Sequence, residues 1–420
     1  MFDLDNWQEI YASLAKNRLR TALTAFGVFW GIFMLILLLG SGRGLENGVN
    51  ADFSGSATNS FYVWTQRTSK PYRGLGPGRR FEMNNRDTEA IRREIPEAAV
   101  IAPRNQLGGF RGGNNVTRGI KAGAFSVMGD YPEINRIQPV RTIEGRFLND
   151  YDLDGRRKVA VIGTRVREVL FEDGEEAIGD HVKINGVYFR VIGVFEPRTR
   201  GEQAIRDAET IYAPFTTFQT AFNWGDELGW YAITSAPGTS AAAVEEEVLA
   251  LLKRRHRVHP DDTRAFGHWN TEEEFRKVQG LFGGIRMLIW IVGIGTLAAG
   301  VIGVSNIMLI VVKERTKEIG LRRAIGATPV GIVGQILLES IVLTGLAGYL
   351  GLLAGVGLVE GVRIGLETAG VNAQMFQNPG VSFGNATQAL LILVVCGALA
   401  GMIPARRALA ISPVEALHAV

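Results

Sequence analysis

Thr21–Gly40 reads TALTAFGVFWGIFMLILLLG, twenty residues without a charged side chain. At about 1.5 Å per residue, a helix of this length crosses roughly 30 Å of hydrocarbon. Three comparable stretches lie further along the chain. Met287–Val312 and Phe383–Ala405 carry no charge, and Val330–Val359 carries only Glu339. Each exceeds the roughly 18 residues that separate a membrane span from a buried core helix. A soluble helix this long keeps a polar stripe, and these have none. Spans are therefore expected over 21–41, 287–312, 330–359 and 383–405. The first reads as an uncleaved anchor. Its apolar run outlasts the core of a signal peptide, and Ser41-Gly42-Arg43-Gly44 is a poor cleavage site.

The average composition conceals this partition. The 420 residues are 46% hydrophobic, an ordinary value for a globular protein, and 21% charged, which excludes a disordered chain. Lys and Arg total 45 against 42 Asp and Glu, a net charge of +3 that gives no reason to expect nucleic acid as a partner. A lone Cys396 forbids an intrachain disulfide framework and a cysteine zinc site. The five histidines, His181, His256, His259, His268 and His418, are dispersed. His256-x-x-His259 sits in a basic stretch without an evident carboxylate partner, so surface histidines are expected there before a metal pair. No metal site is expected. There is no H-E-x-x-H and no G-x-x-x-x-G-K-[ST]. The first absence removes the best signal for a metalloprotease, and the second removes a Walker-type phosphate cradle. No bound cofactor and no catalytic residue are expected on this chain.

Positive charge orients the spans. Lys16, Arg18 and Arg20 precede the first. Lys313, Arg315, Lys317, Arg322 and Arg323 crowd the link between the second and third, and Arg406 and Arg407 follow the fourth. Glu360–Ser382, between spans three and four, holds only Arg363 beside Glu360 and Glu367. With both termini cytoplasmic, every basic cluster falls on one side. Residues 42–286 then lie outside, 360–382 form a short external loop and 406–420 a cytoplasmic tail. Leu4, Trp7, Tyr11, Leu14 and Arg18 recur at helical spacing, so 1–20 reads as an amphipathic helix in the lipid interface or, more plainly, as a basic anchor.

The external segment has a mixed α/β pattern. Lys158–Gly163 and Val187–Phe195 are strand-like, and His181–Ile184 should pair with the latter across Asn185-Gly186. Val166–Phe171 and Ala241–Arg255 read as helices. Thr65–Arg80, Gly108–Arg118 and Thr199–Asp207 read as exposed loops.

Within the spans, Ala299-x-x-x-Gly303, Gly351-x-x-x-Gly355 and Gly397-x-x-x-Gly401 allow close helix approach or a dimer contact, and Ser305, Asn306 and Glu339 can hydrogen-bond between helices. An intramembrane carboxylate is costly. Glu339 lies near the basic end of its span, so it either pairs structurally with an Arg or Lys or takes a direct part in the mechanism. Spans this dry do not line a hydrophilic pore, which suggests a lever that carries motion across the bilayer to the external domain. The link at 313–329 suits that role. Ile319, Leu321 and Ile325 are expected to form one apolar strip beside a charged face, with Gly326 as a stop and Pro329 restarting a helix. It can dock a cytosolic partner or serve merely as a basic loop.

The run Glu314-Arg315-Thr316-Lys317-Glu318-Ile319-Gly320-Leu321-Arg322-Arg323-Ala324-Ile325-Gly326-Ala327 resembles the signature of FtsX-like ABC permeases, the MacB/LolC/LolE superfamily. So do Leu19–Thr24 at the start, and Pro404-Ala405-Arg406-Arg407-Ala408 with Pro413-Val414-Glu415-Ala416-Leu417 at the end. Glu144-Gly145-Arg146-Phe147, Val159–Gly163, Ile178-Gly179 and Val191–Val194 are similar to the MacB-type periplasmic core.

The resemblance implies an α-helical membrane protein with four transmembrane helices. It adds a large α+β periplasmic domain of two lobes between the first and second, with a β-rich lobe nested at about 130–235. It implies an inner-membrane permease in which Glu314, Arg315, Lys317, Glu318, Ile319, Leu321, Arg322, Arg323 and Ile325 couple to a separate cytosolic ABC ATPase subunit holding ATP and Mg2+. A second permease subunit, identical or different, completes it, and membrane lipids surround it. A periplasmic adaptor and an outer-membrane component are further partners left open. ATP-driven closure would move a substrate on the periplasmic side, by mechanotransmission, for efflux or release. The cargo is unknown from sequence, and no substrate-binding residue stands out. Two other readings stay open: an anchored receptor or assembly protein without ATP-driven work, and a membrane-bound enzyme, for which no nucleophile–base constellation is evident.

Overall fold

The computed structural model describes residues 18–53, 55–108, 115–199, 201–369 and 376–410. Residues 1–17 of the expected interfacial helix, His418 and the Pro413–Leu417 motif lie outside the described residues. The chain divides into two compact units, residues 1–48 with 280–420, and residues 49–279. The first helix, α1, runs from Arg18 to Phe53, well past the expected end of the apolar run at residue 41.

The second unit contains β1 (Ser60–Thr65), β2 (Met83–Asn84), α2 (Asn85–Glu94), β3 (Ala98–Gly108), β4 (Val116–Arg118), β5 (Lys121–Gly123) and β6 (Ser126–Asp130). Then come α3 (Ile134–Ile137), β7 (Val140–Gly145), α4 (Asp150–Asp154), β8 (Val159–Gly163), α5 (Thr164–Leu170), β9 (His181–Ile184) and β10 (Val187–Pro197). It continues with α6 (Gly201–Ala208), β11 (Thr210–Pro214), α7 (Phe215–Ala221), β12 (Glu227–Leu228), β13 (Trp230–Ser235), α8 (Ala241–Arg255) and β14 (Phe266–Asn270). Twelve strands form one mixed sheet in the order β14-β1-β13-β3-β6-β11-β8-β10-β9-β4-β5, with β7 added on β10; β2 and β12 pair separately. The β9–β10 hairpin turns at Asn185 and Gly186, whose φ of 40° and 90° are the left-handed values such a turn requires.

The two largest of the unit's four apolar clusters pack on this sheet. One packs Phe61, Ile91, Tyr231 and Val248 beneath α2 and α8. The other gathers Val116, Phe125, Val182, Phe189 and Phe218. Strand pairing shifts the bounds expected for the β-rich part. Val116 and Phe125 pack with it ahead of residue 130, while Trp230–Ser235 pairs with β1 and β3. The loop expected at Thr199–Asp207 is largely helix α6. Its polar residues bond along the helix, Gln203 Nε2 donating to Asp207 Oδ1 at 2.7 Å, so local i,i+4 bonds organise a segment that reads as loop by composition. The end of the loop expected at Gly108–Arg118 is strand β4, and residues 109–114 lie outside the described residues.

The motif Glu144–Phe147 has a structural explanation. Gly145 takes φ +68°, and a Cβ there would stand 2.2 Å from the Ile192 carbonyl oxygen, so only glycine fits. Arg146 then clamps buried Asp152 through both terminal guanidinium nitrogens, at 2.5 and 2.9 Å, and Asp152 also accepts the backbone N–H of Asn149, whose side chain caps α4.

The remaining helices are α9 (Thr271–Glu314), α10 (Thr316–Ala324), α11 (Pro329–Thr368) and α12 (Phe383–Leu409). Among the described residues α1, α9, α11 and α12 are long and apolar enough to cross a membrane. Ile32, Leu35, Leu297, Val304, Leu343 and Leu393 belong to one buried cluster drawn from all four. Small residues set the approach of these helices. A Cβ on Gly351 would lie 2.5 Å from the Phe29 carbonyl oxygen, and one on Gly397 would lie 2.3 Å from Thr344 Oγ1.

Candidate functional site

The link between α9 and α11 is a short helix set on a polar junction. Its bounds, Thr316–Ala324, fall inside the expected 313–329. Glu314 closes α9 and Arg315 caps α10. Gly326 follows with φ +106°, and Thr328 caps α11, accepting the Gly331 N–H at 3.3 Å, with Pro329 at the first helical position.

The residues of α10 and its flanks divide between two faces. Ile319 is buried at 8% exposure, while Leu321 and Ile325 are 51% and 78% exposed. The expected single apolar strip is thus corrected. Positions two apart on a helix lie about 200° apart, so Leu321 and Ile325 share a face and Ile319 opposes it. Lys313, Glu314, Lys317 and Ala324 are exposed with Leu321 and Ile325. Arg315, Glu318, Ile319 and Arg322 instead line a cavity of about 30 Å³ with Gln335 and Glu339 of α11, enough for one or two waters.

Glu339 is 3% exposed, and its Oε2 lies 3.7 Å from Arg315 Nη1. The network continues outward. Arg315 Nε lies 4.0 Å from Glu318 Oε2, Arg322 Nη2 donates to Glu318 Oε1 at 2.7 Å, and Arg322 Nη1 donates to Gln335 Oε1 at 3.1 Å. Arg323 Nη1 donates to the Leu409 carbonyl at 3.0 Å, which ties α10 to the end of α12. The segment is thereby held to α11 and α12 by side chains and presents Leu321 and Ile325 to its surroundings.

The small-residue candidates also separate. Gly351 and Gly355 pack on α1, against Phe29 and Ile36, and Gly397 and Gly401 pack on α11, against Thr344 and Ser340. A Cβ on Gly303 would meet nothing within 4 Å among the described residues, and Ala299 and Asn306 are exposed. Gly300, which the spacing argument passes over, makes a close contact of α9 with α1, where a Cβ would stand 3.2 Å from the Val28 nitrogen.

In the other unit, His256 does have a carboxylate partner, contrary to expectation. Its Nε2 lies 2.7 Å from Asp87 Oδ2, and Arg255 Nε donates to Asp87 Oδ1 at 2.6 Å. Burial works against the charge on Asp87, yet His256, Arg255 and the Asn84 N–H hold its pKa below the ordinary value. The side chain of His256 is only 12% exposed. Among the described residues no group of three His, Cys, Asp or Glu could hold a metal.

A family model described as the MacB-like periplasmic core domain matches residues 21–251, more than half of the chain. The chain belongs to this family. Residues 290–413, which include α10, match the FtsX-like permease C-terminal model. This MacB-like chain is 29% identical over 96% of its length to a macrolide export ATP-binding/permease protein MacB of Shewanella oneidensis. It is 30% identical over 99% of its length to a pyoverdine export ATP-binding/permease protein PvdT of Pseudomonas savastanoi pv. phaseolicola. It spans 59% of the length of each of these relatives. The solved periplasmic region of MacB from Actinobacillus actinomycetemcomitans aligns with 54% of this chain and 96% of its own, at 17% identity and a TM-score of 0.43.

Proposed function

We propose that the chain is a permease subunit of an ABC transporter that carries an ATP-driven conformational change across the inner membrane to a periplasmic domain. The division of the α10 segment into two faces carries this reading. Leu321 and Ile325, flanked by Glu314 and Lys317, offer a small apolar surface with a charged rim, which suits docking on a folded protein. On the reverse, Arg315 and Arg322, bridged by Glu318, grip α11, so a push on α10 reaches Glu339 and the span that holds it. Both termini and α10 lie in the cytoplasm, as the basic clusters require. The α+β unit stands in the periplasm as an insert between the first and second spans, its two largest apolar clusters forming the cores of two lobes.

ATP and Mg2+ bind a cytosolic ABC ATPase that receives α10. A second permease subunit packs on the open face of α9 at Ala299, Gly303 and Asn306, where none of the described residues fills the space beside Gly303. The named relatives are export proteins, and the work proposed here is likewise efflux or release of a substrate from the periplasm or the outer leaflet, with a periplasmic adaptor and an outer-membrane component as further partners. Co-purification with the ATPase tests the reading. Reversing charge at Arg322 and Arg323 together should abolish association or uncouple ATP turnover; intact association and coupling would overturn it.

A further inference from the structure

The four-helix unit has a second concave feature, far from α10. A crevice of about 420 Å³ is lined by Arg43 and Asn47 of α1, by Val359, Glu360 and Arg363 of α11, and by Val381. Glu360 lies 31 residues into α11, about 46 Å along the helix from the end that follows α10. Arg43 follows Thr21 by 22 residues, or about 33 Å, so it sits where the hydrocarbon opposite the basic clusters ends.

The crevice is built rather than incidental. The segment that forms one wall is hydrogen-bonded to α1, the Gln377 N–H donating to the Gly44 carbonyl at 2.9 Å and Asn47 Nδ2 donating to the Asn378 carbonyl at 3.1 Å. Gly44 permits this approach, since a Cβ there would stand 2.8 Å from the Phe376 ring.

Its charges are separated. Arg363 is held by both oxygens of Glu360 and, at 2.8 Å, by Glu367, so this triad carries one surplus negative charge. Arg43 is exposed and makes no ion pair or hydrogen bond among the described residues. Below the charges the surface is apolar, with Val359 at 4% exposure and Val356 beside it at 37%. One cation without a counter-ion, one surplus anion and an apolar floor at a lipid boundary match a zwitterionic amphiphile.

We propose that this crevice seats one phosphatidylethanolamine molecule. Its phosphodiester lies on Arg43, its primary ammonium lies against the Glu360–Arg363–Glu367 triad, and its acyl chains descend along Val356 and Val359. A quaternary choline donates no N–H to the triad, and a glycerol head group brings no cation to it.

The proposal depends on the membrane topology above only for which leaflet supplies the lipid. The test is native mass spectrometry of the full chain with equimolar phosphatidylethanolamine, phosphatidylglycerol and phosphatidylcholine of identical acyl chains. One phosphatidylethanolamine should be retained with about tenfold preference over the other two. Arg43→Gln should remove retention of all three and Arg43→Lys should restore it in part. Glu367→Gln, which leaves the Arg363–Glu360 pair in place, should abolish the preference over phosphatidylcholine. Equal retention of the three lipids, or unchanged retention by Arg43→Gln, would overturn the site. Labelling of Arg43→Cys in a Cys396→Ala background with an impermeant maleimide separates the two questions. Failure to label from outside overturns the topology, while the lipid preference stands or falls by itself.

Discussion

Arg315, at the break between α9 and α10, reaches Glu339 of α11, Nη1 to Oε2 at 3.7 Å, and the two partners differ sharply in burial. Glu339 has a side chain 4% exposed, Arg315 one 24% exposed. Their removal should therefore be unequal. Arg315→Leu takes a cation away from a buried carboxylate and should cost about 3 kcal/mol. Glu339→Gln keeps a polar group in the cavity and leaves Arg315 free to turn toward solvent, at about 1 kcal/mol. Thermal denaturation of the full chain in detergent checks the order. If the pair also transmits force, both single variants should uncouple ATP turnover in the assembled complex, and the double variant should be no worse than Arg315→Leu. Additive losses would show that the residues act separately.

The opposed faces of α10 give a second test. Leu321→Asp and Ile325→Asp place charge on exposed positions and should leave the fold within about 0.5 kcal/mol while weakening ATPase association at least tenfold. Ile319→Asp puts an unpaired carboxylate into a buried position and should unfold the segment by about 3 kcal/mol or more. Pull-down with the ATPase, paired with melting curves, separates the two classes. Equal loss of stability from all three would remove the distinction between a docking face and an anchoring face.

Local periodicity accounts for what the sequence made legible. The four spans announce themselves by uncharged length, the β9–β10 hairpin by Asn185-Gly186 between alternating strands, and α8 by its basic end, Glu245–Glu247 falling beyond its first turn. Contacts between residues distant in sequence left no local trace. His256 and Asp87 stand 169 residues apart, and nothing near either one names the other. The candidate site was half legible for the same reason. The charges of the α10 link mark it as unusual, but only the packing of α11 decides that Ile319 and Arg315 turn inward. The glycine spacings forecast close helix approach without saying which helix is approached. Gly351 and Gly397 resolve into contacts inside one chain, and the α1 contact of α9 falls on Gly300.

That division predicts contrasting alanine scans. At Gly351 an added methyl meets the Phe29 carbonyl oxygen at 2.5 Å, a backbone atom that cannot rotate away. Gly351→Ala should cost about 1–3 kcal/mol of bundle stability. Gly303→Ala adds its methyl to open space and should leave the monomer unchanged. If the open face of α9 receives a second subunit, Gly303→Leu should reduce self-association measured by crosslinking or sedimentation in detergent, with no change in melting. A loss of monomer stability from Gly303→Ala would place that glycine in the interior.

Acid should loosen the Thr65–Arg80 segment first. Burial alone would favour the protonated form of Asp262, but the Ser69 hydroxyl at 2.7 Å, the Ser69 N–H at 2.6 Å, and the Lys70 and Arg264 N–H groups at 3.0 Å favour the charged form and hold its pKa down to about 2. A carboxyl lowered from 3.8 on folding stabilises the folded state fully above that value. The contribution is lost as pH falls from about 4 through about 2, below which both states are protonated, and it amounts to something on the order of 2 kcal/mol. Asp87, lowered in the same sense, adds to the slope. Denaturant titrations of the full chain in detergent should show stability falling across this window, with Asp262→Asn flattening the fall and exposing 65–80 to proteolysis already at neutral pH. An acid dependence identical in wild type and Asp262→Asn would mean that other carboxylates govern it, because only the native partners of Asp262 can depress its titration this far.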